Sequence, residues 1–230
     1  MPKAVTGVLD QFADHTLDVP VPQNTSRHGV PNACNSCHTD QTPEQMADAL
    51  NLLWPDASRR QARRILLADA IDEATAAQSF PALKAIVSAP FEAPTLRGAG
   101  AMLLAQRFPQ QSPAILAPLL RDRHPLVRSR AVEALAAAVG PRSADLLVPM
   151  THDPALQVRH AAAVMLASFG DPRGIAPLEA LAKAPESRTM VQPHMLLGLN
   201  ALRHRDLNTA QAELEIATDL MPYHTAALLV

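Results

Sequence analysis

The chain has 230 residues, of which 48% are hydrophobic and only 3% aromatic, and its formal net charge at neutral pH is -2. This near-neutral net charge provides no basic surface that would attract nucleic acid. The sequence also lacks a run of about 18 apolar residues, which a membrane span would need. Ala, Leu and Val supply most of the apolar content, which favours helices, and the 21 prolines fall mainly between apolar runs. The composition therefore predicts an all-α protein of one or two domains, or a short repeat array.

The beginning of the chain is predicted to be an irregular head, residues 1–42. Residues 1–41 show neither helical nor strand periodicity, and the proline-bounded segment 19–26 is predicted to be extended. A long irregular stretch is uncommon in a compact domain unless a function or a ligand organises it. The first predicted helix follows, with Thr42 as its cap, Pro43 in the first helical position and Gln45 completing a capping box.

The only two cysteines of the chain, Cys34 and Cys37, lie in this head, and His38 follows the second directly. A disulfide across so short a loop would stabilise little, and a thioredoxin-like redox pair would need a βαβ setting that the pattern lacks. A zinc site would need a further ligand, such as His28 or His15. The C-x-x-C-H spacing favours a fourth alternative, in which both thiols bond to the vinyl groups of haem and His38 binds the iron.

A second axial ligand is expected from the other histidines of the head. His15 and His28 precede His38 by 23 and 10 residues, and at about 3.3 Å per residue either could reach across a haem edge. The histidines after the head are interpreted as polar surface or helix-end residues. An iron with two histidine ligands has no open position, so the pattern predicts electron transfer and not an enzyme.

The remainder of the chain repeats with a period of 31 residues. One arginine, one leucine and one small residue recur at this spacing: Arg97, Arg128 and Arg159; Leu104, Leu135 and Leu166; Gly100, Ala131 and Ala162. The pattern V-R-x-x-A-x-x-x-L behind a proline is typical of the second helix of a HEAT-type unit, and a fixed period indicates an α-solenoid of stacked helix pairs. The arginines are predicted to form a ladder with the turn aspartates of adjacent units, Asp122 and Asp153.

The helical body is predicted to divide into HEAT-like repeats at residues 43–185 and a truncated tetratricopeptide-like unit at residues 186–230. The second unit is indicated by spacings of 12, 4, 3 and 5 residues between Gly198, Ala210, Leu214, Ala217 and Pro222. Because the chain stops within the next such unit, it is interpreted as a fragment. A basic cluster lies on another predicted helix and is interpreted as a solvated helix face: Arg59, Arg60, Arg63 and Arg64.

The runs D-H-T-L-D-V-P-V-P at 14–22 and G-V-P-N-A-C-N-S-C-H at 29–38 resemble those of bacterial multihaem c-type cytochromes with a HEAT and tetratricopeptide tail. Leu17 and Asp18 depart from that family, which has an aromatic and a basic residue there. The resemblance implies haem c as cofactor, and it implies further haem sites and a signal peptide upstream, hence a periplasmic or extracytoplasmic location. It also favours His15 as an axial ligand, either to this haem or to a neighbouring one.

The predicted function is therefore that of a c-type cytochrome that binds haem covalently and carries electrons. Its helical repeats would dock a redox partner protein or a neighbouring haem subunit. The alternative is a HEAT and tetratricopeptide interaction scaffold with a structural or sensing haem. A haem enzyme would need a five-coordinate iron, and no acid–base constellation beside the motif supports one. Nucleic acid is not an expected partner, and no membrane span is expected in this chain.

Overall fold

A computed structural model of the chain describes residues 3–5, 11–13, 20–72 and 76–221. It forms two compact units, Met1–Thr75 and Ala76–Val230. The sequence analysis placed the first boundary at residue 42 instead, so two helices expected among the repeats belong to the first unit. Helices dominate both units, and within the described residues no helix is long and apolar enough to cross a bilayer.

The described residues of the first unit form a pair of short strands and three helices. The strands are β1 (Lys3–Val5) and β2 (Gln11–Ala13), which pair antiparallel, and the helices are α1 (Pro22–His28), α2 (Pro43–Leu53) and α3 (Ala57–Ile71). As predicted, α2 begins with a capping box. The Gln45 N–H donates to Thr42 Oγ1 over 3.3 Å, and the Thr42 N–H donates to Gln45 Oε1 over 2.8 Å.

Helix α1 overturns the prediction of an extended segment at 19–26 and of a head that is irregular throughout. Pro22 occupies the first helical position, where its missing N–H costs nothing and its fixed φ suits the helix. Gly29 ends the helix with φ +65°, a conformation that glycine adopts without strain, and its N–H donates to Thr25 O over 2.9 Å. Tertiary contacts support the helix, because the Asn24 side chain donates to Arg64 O of α3 over 3.3 Å.

The second unit is a stack of helices joined by short loops and 3-10 turns. Its helices are α4 (Phe80–Ser88), α5 (Pro94–Arg107), α6 (Pro113–Leu116), α7 (Pro125–Val139), α8 (Ala144–Leu147), α9 (Leu156–Ser168), α10 (Ile175–Lys183), α11 (Val191–Arg203) and α12 (Leu207–Leu220). The long helices α5, α7 and α9 pack in succession and begin 31 residues apart. Leu104, Leu135 and Leu166 are fully buried at equivalent positions, which confirms the repeat and the α-solenoid.

The predicted arginine ladder is confirmed. Arg97 Nη2 lies 2.7 Å from Asp122 Oδ2, and Arg128 binds both carboxylate oxygens of Asp153 at 2.7 and 2.8 Å. Arg159 occupies the third position and lies 3.8 Å from a carboxylate oxygen of Glu186, a partner that the sequence analysis did not name. Each arginine thus ties its own repeat to the turn of the next.

Helices α11 and α12 pack through small residues, as the tetratricopeptide-like spacing predicts. A Cβ added to Gly198 would lie 2.7 Å from Leu214 Cγ, so any larger residue here would require the Leu214 side chain to move. Ala210 and Ala217 are buried on the facing side of α12. Pro222, which was expected to end this unit, lies outside the described residues.

Candidate functional site

The C-x-x-C-H motif forms one tight turn. The Cys37 and His38 N–H groups both donate to Cys34 O, over 3.2 and 2.9 Å. Both cysteines are free thiols in the structure, with Cys34 half-buried and Cys37 exposed, and His38 is exposed as well. The two thiols and the imidazole therefore leave the backbone within a single turn and are open to a ligand.

Two asparagines that the sequence analysis did not single out hold this turn in place. Asn32 Nδ2 donates to Thr25 Oγ1 of α1 over 2.5 Å and to Asn35 Oδ1 over 2.9 Å. Asn32 Oδ1 accepts the Asn35 N–H over 3.2 Å, and Asn35 Nδ2 donates to Gln41 O over 2.8 Å. The turn is thus tied to α1 on one side and to the start of α2 on the other. Asparagine ahead of a turn is a recognisable signal for such bonds.

A cavity of about 870 Å³ lies between this turn and helices α2 and α3, within the first unit. The turn contributes Ala33, Cys34, Cys37 and His38 to its wall, α2 contributes Met46, Ala49, Leu50 and Leu53, and α3 contributes Ala57, Arg60, Gln61 and Arg64. Pro20, Gln41 and Trp54 complete the lining. The structure therefore brings all three residues of the motif to one cavity, which is of a size that holds small-molecule ligands.

The apolar part of this wall is incompletely covered. Leu53 and Trp54 line the cavity, yet they remain 67% and 55% exposed. Large apolar side chains that face solvent beside a cavity indicate a surface that a bound partner covers.

The polar part of the wall lies on α3. Gln61 is buried and its Nε2 donates to Pro20 O over 2.7 Å, while its Oε1 has no hydrogen-bond partner among the described residues. Arg60 and Arg64 line the same cavity. The interpretation of the basic cluster as a solvated face holds for Arg59, Arg60 and Arg63, which are exposed, whereas Arg64 is half-buried. Arg59 also makes a surface ion pair. The sequence alone does not single out the cavity pair, because Arg59 and Arg63 have the same four-residue spacing as Arg60 and Arg64.

His28, the alternative axial ligand, has a different role in this structure. Its Nδ1 lies 2.8 Å from Asp72 Oδ2 and its Nε2 lies 2.7 Å from Asp69 Oδ1, so it joins α1 to α3. The hydrogen bond with Asp72 is the main cause that raises the pKa of His28 above its ordinary value. With both ring nitrogens held by carboxylates, His28 has none left for an iron, and it is not part of the cavity wall. This geometry argues against His28 as the second ligand.

His15, the preferred second ligand, lies outside the described residues. Among the residues that the structure describes, no group of three or more His, Cys, Asp and Glu side chains is arranged to hold a metal ion. The structure thus brings together three of the five candidate residues, Cys34, Cys37 and His38.

Comparison with known proteins identifies part of the second unit. The stacked helix pairs define an α-solenoid, and the family model described as HEAT repeats matches residues 112–192. The match begins just ahead of α6 and runs to the start of α11, which includes two of the three arginines of the ladder. No curated protein matches the chain.

Proposed function

We propose that this chain is a c-type cytochrome, which binds haem covalently and transfers electrons. Cys34 and Cys37 tether the porphyrin through its vinyl groups, and the His38 imidazole binds the iron. The observation that carries this proposal is the cavity of about 870 Å³, whose wall holds both thiols and the imidazole. When bound, haem supplies a one-electron redox couple.

The remaining wall fits such a group. Met46 and Leu50 give the cavity an apolar side, which suits the faces of a porphyrin ring. A bound ring would remove water from Leu53 and Trp54, whose exposure is otherwise unfavourable.

The proposed second axial ligand is His15. Pro20 lines the cavity, and five residues span at most about 17 Å, so His15 is within reach of it. The engagement of His28 by two carboxylates removes its nearest competitor in the sequence. Two histidine ligands leave the iron without an open position, so the protein is proposed not to be an enzyme. Alternatively, His15 is an axial ligand to the iron of a neighbouring haem.

The repeat unit is proposed to dock a redox partner protein or a neighbouring haem subunit. Stacked HEAT-like repeats present an extended surface suited to protein partners. The location that goes with covalent haem attachment is periplasmic or extracytoplasmic. The second candidate function is an interaction scaffold with a structural or sensing haem, and the HEAT match over residues 112–192 is the observation that favours it.

Covalent attachment is tested by expressing the chain with a periplasmic signal and c-type maturation, followed by acid–acetone extraction. We expect haem to stay with the protein, and we expect the double variant Cys34→Ala/Cys37→Ala to release it. Ser36→Ala, in the same turn, is the matched control and should keep its haem. Non-extractable haem in the double variant, or none in the unaltered chain, would contradict the proposal.

The visible spectrum of the same preparation separates the two candidate functions. A low-spin, six-coordinate iron supports electron transfer, and a high-spin iron supports sensing. His15→Ala should convert a low-spin iron to high spin, and His28→Ala should not. If His15→Ala leaves a low-spin spectrum unchanged, His15 is not a ligand to this iron.

A further inference from the structure

The cavity wall carries an imbalance of charge. Arg60 and Arg64 line it, and none of the other residues described as lining it is an aspartate or a glutamate. The two arginines are four residues apart on α3, so they lie on the same face of that helix. Arg60 is exposed and Arg64 is half-buried, so this part of the wall is open to water. The wall therefore suits a ligand with an apolar body and carboxylate groups at its edge.

We propose that Arg60 and Arg64 bind the two propionate carboxylates of the porphyrin, an inference that rests on the proposed function. The vinyl groups and the propionates occupy different edges of the ring. A ring tethered at Cys34 and Cys37 would therefore have its carboxylates on an edge that the tether does not occupy, where other residues of the wall could bind them. A guanidinium group matches a carboxylate with two parallel hydrogen bonds, and such charge-assisted bonds are about twice as strong as neutral ones.

Helix α3 is fixed in position for this role by contacts of its own. The buried Gln61 side chain donates to Pro20 O over 2.7 Å, and the Asn24 side chain donates to the backbone oxygen of Arg64 over 3.3 Å. Both bonds join α3 to the segment that begins α1. They set which face of α3 meets the cavity. The Arg60 guanidinium also donates to Pro55 O over 3.4 Å, a weak contact at the exposed start of α3 that a carboxylate can replace.

The test uses the full chain, purified without haem, and two probes: metal-free mesoporphyrin IX and its dimethyl ester. Mesoporphyrin has ethyl groups in place of the vinyl groups, so no thioether can form, and the ester hides both carboxylates. We expect the free acid to bind about ten-fold more tightly than the ester, which corresponds to about 1.4 kcal/mol. The double variant Arg60→Gln/Arg64→Gln should bind the two probes equally.

Arg59→Gln/Arg63→Gln is the matched control. It removes the same charge from the same helix at positions that do not line the cavity, and it should retain the preference for the free acid. Far-ultraviolet circular dichroism checks that each variant folds. Should the cavity pair unfold, Arg60→Lys/Arg64→Lys replaces it and should lose most of the preference, because lysine lacks the planar fork.

The outcomes separate this inference from the proposed function. Equal binding of both probes by the unaltered chain, or the same loss of preference in the control pair, overturns the role of Arg60 and Arg64 but leaves porphyrin binding in place. Failure of the unaltered chain to bind either probe overturns the inference, because the wall then does not hold a porphyrin by its carboxylates; the acid–acetone extraction decides the proposed function separately.

Discussion

The ion pair between Arg128 and Asp153 is expected to contribute more to stability than the third ion pair of the ladder, between Arg159 and Glu186. Arg128 Nε and Nη2 bind the two oxygens of Asp153 at 2.7 and 2.8 Å, and the two side chains are only 13% and 6% exposed. The substitution Arg128→Met keeps most of the aliphatic length and removes the charge. It leaves the buried Asp153 carboxylate without its counter-ion.

The expected loss in free energy of unfolding follows from the burial of the two side chains. Removing one partner of a buried ion pair costs about 3–5 kcal/mol, and we expect about 3 kcal/mol here because the Ala155 N–H still donates to Asp153 over 2.8 Å. Arg159→Met is the matched control. Its ion pair with Glu186 spans 3.8 Å between side chains that are 29% and 55% exposed, and such a pair contributes about 0–1 kcal/mol. Each arginine also donates to the carbonyl oxygen of a turn aspartate, so that loss is common to both variants.

The assay is urea unfolding followed by circular dichroism, with the free energy of unfolding of both variants compared at neutral pH. The hydrogen bond from Arg128 holds the pKa of Asp153 below its ordinary value of 3.8. A carboxyl with a lowered folded-state pKa stabilises the fold above its unfolded value, and this contribution is lost as the pH falls through the folded value. The penalty of Arg128→Met should therefore shrink below pH 3.8. Equal penalties for the two variants at neutral pH would refute the reasoning.

Two further predictions concern glycine packing and the His28 contact. A Cβ at Gly174 would lie 2.7 Å from the backbone nitrogen of Ala167, whereas one at Gly198 would meet the side chain of Leu214, which can move. Thermal unfolding should therefore show Gly174→Ala to be the more destabilising, by about 1–3 kcal/mol, and the opposite order would disprove this. The raised pKa of His28 means that its contacts with two aspartates of α3 stabilise the first unit fully below pH 6.5 and progressively less as the pH rises through the folded-state pKa. Unfolding of this unit can be followed by the fluorescence of the single tryptophan, which lies in it. The unaltered chain should have a larger free energy of unfolding than His28→Gln, and this difference should shrink above pH 6.5. A difference that grows above pH 6.5 would exclude this role of His28.

The features that the sequence predicts well are local or repeated. Thr42 and Gln45 lie three residues apart, so their capping box depends on the local chain alone. The buried leucines and the arginine ladder could be predicted because the same residue types recur at equivalent positions in three copies, 31 residues apart. A single copy of Arg128 would not have distinguished an ion pair from a surface arginine.

The features that the sequence does not predict depend on which elements meet in space. The prolines at 20 and 22 are equally compatible with an extended segment, and contacts with α3 such as that of Asn24 support helix α1. Similarly, Arg60 and Arg64 cannot be separated from Arg59 and Arg63 by composition. Only the packing of α3 beside the turn decides which pair faces the cavity.

The hydrophobic core of the first unit also bears on whether an apolar cofactor is bound beside the C-x-x-C-H turn. Its buried hydrophobic residues among those described are Val21, Met46, Ala47, Ala57, Ala68 and Ala70. Most are alanines, whereas the second unit buries many leucines and valines completely. With few large apolar side chains buried among its described residues, this part of the unit gains little from the hydrophobic effect, and a cavity of about 870 Å³ lies beside the C-x-x-C-H turn. A rigid apolar group held by Cys34 and Cys37 would fill the place of the missing side chains. We infer that the haem proposed for electron transfer would also add apolar contacts to the core of this unit.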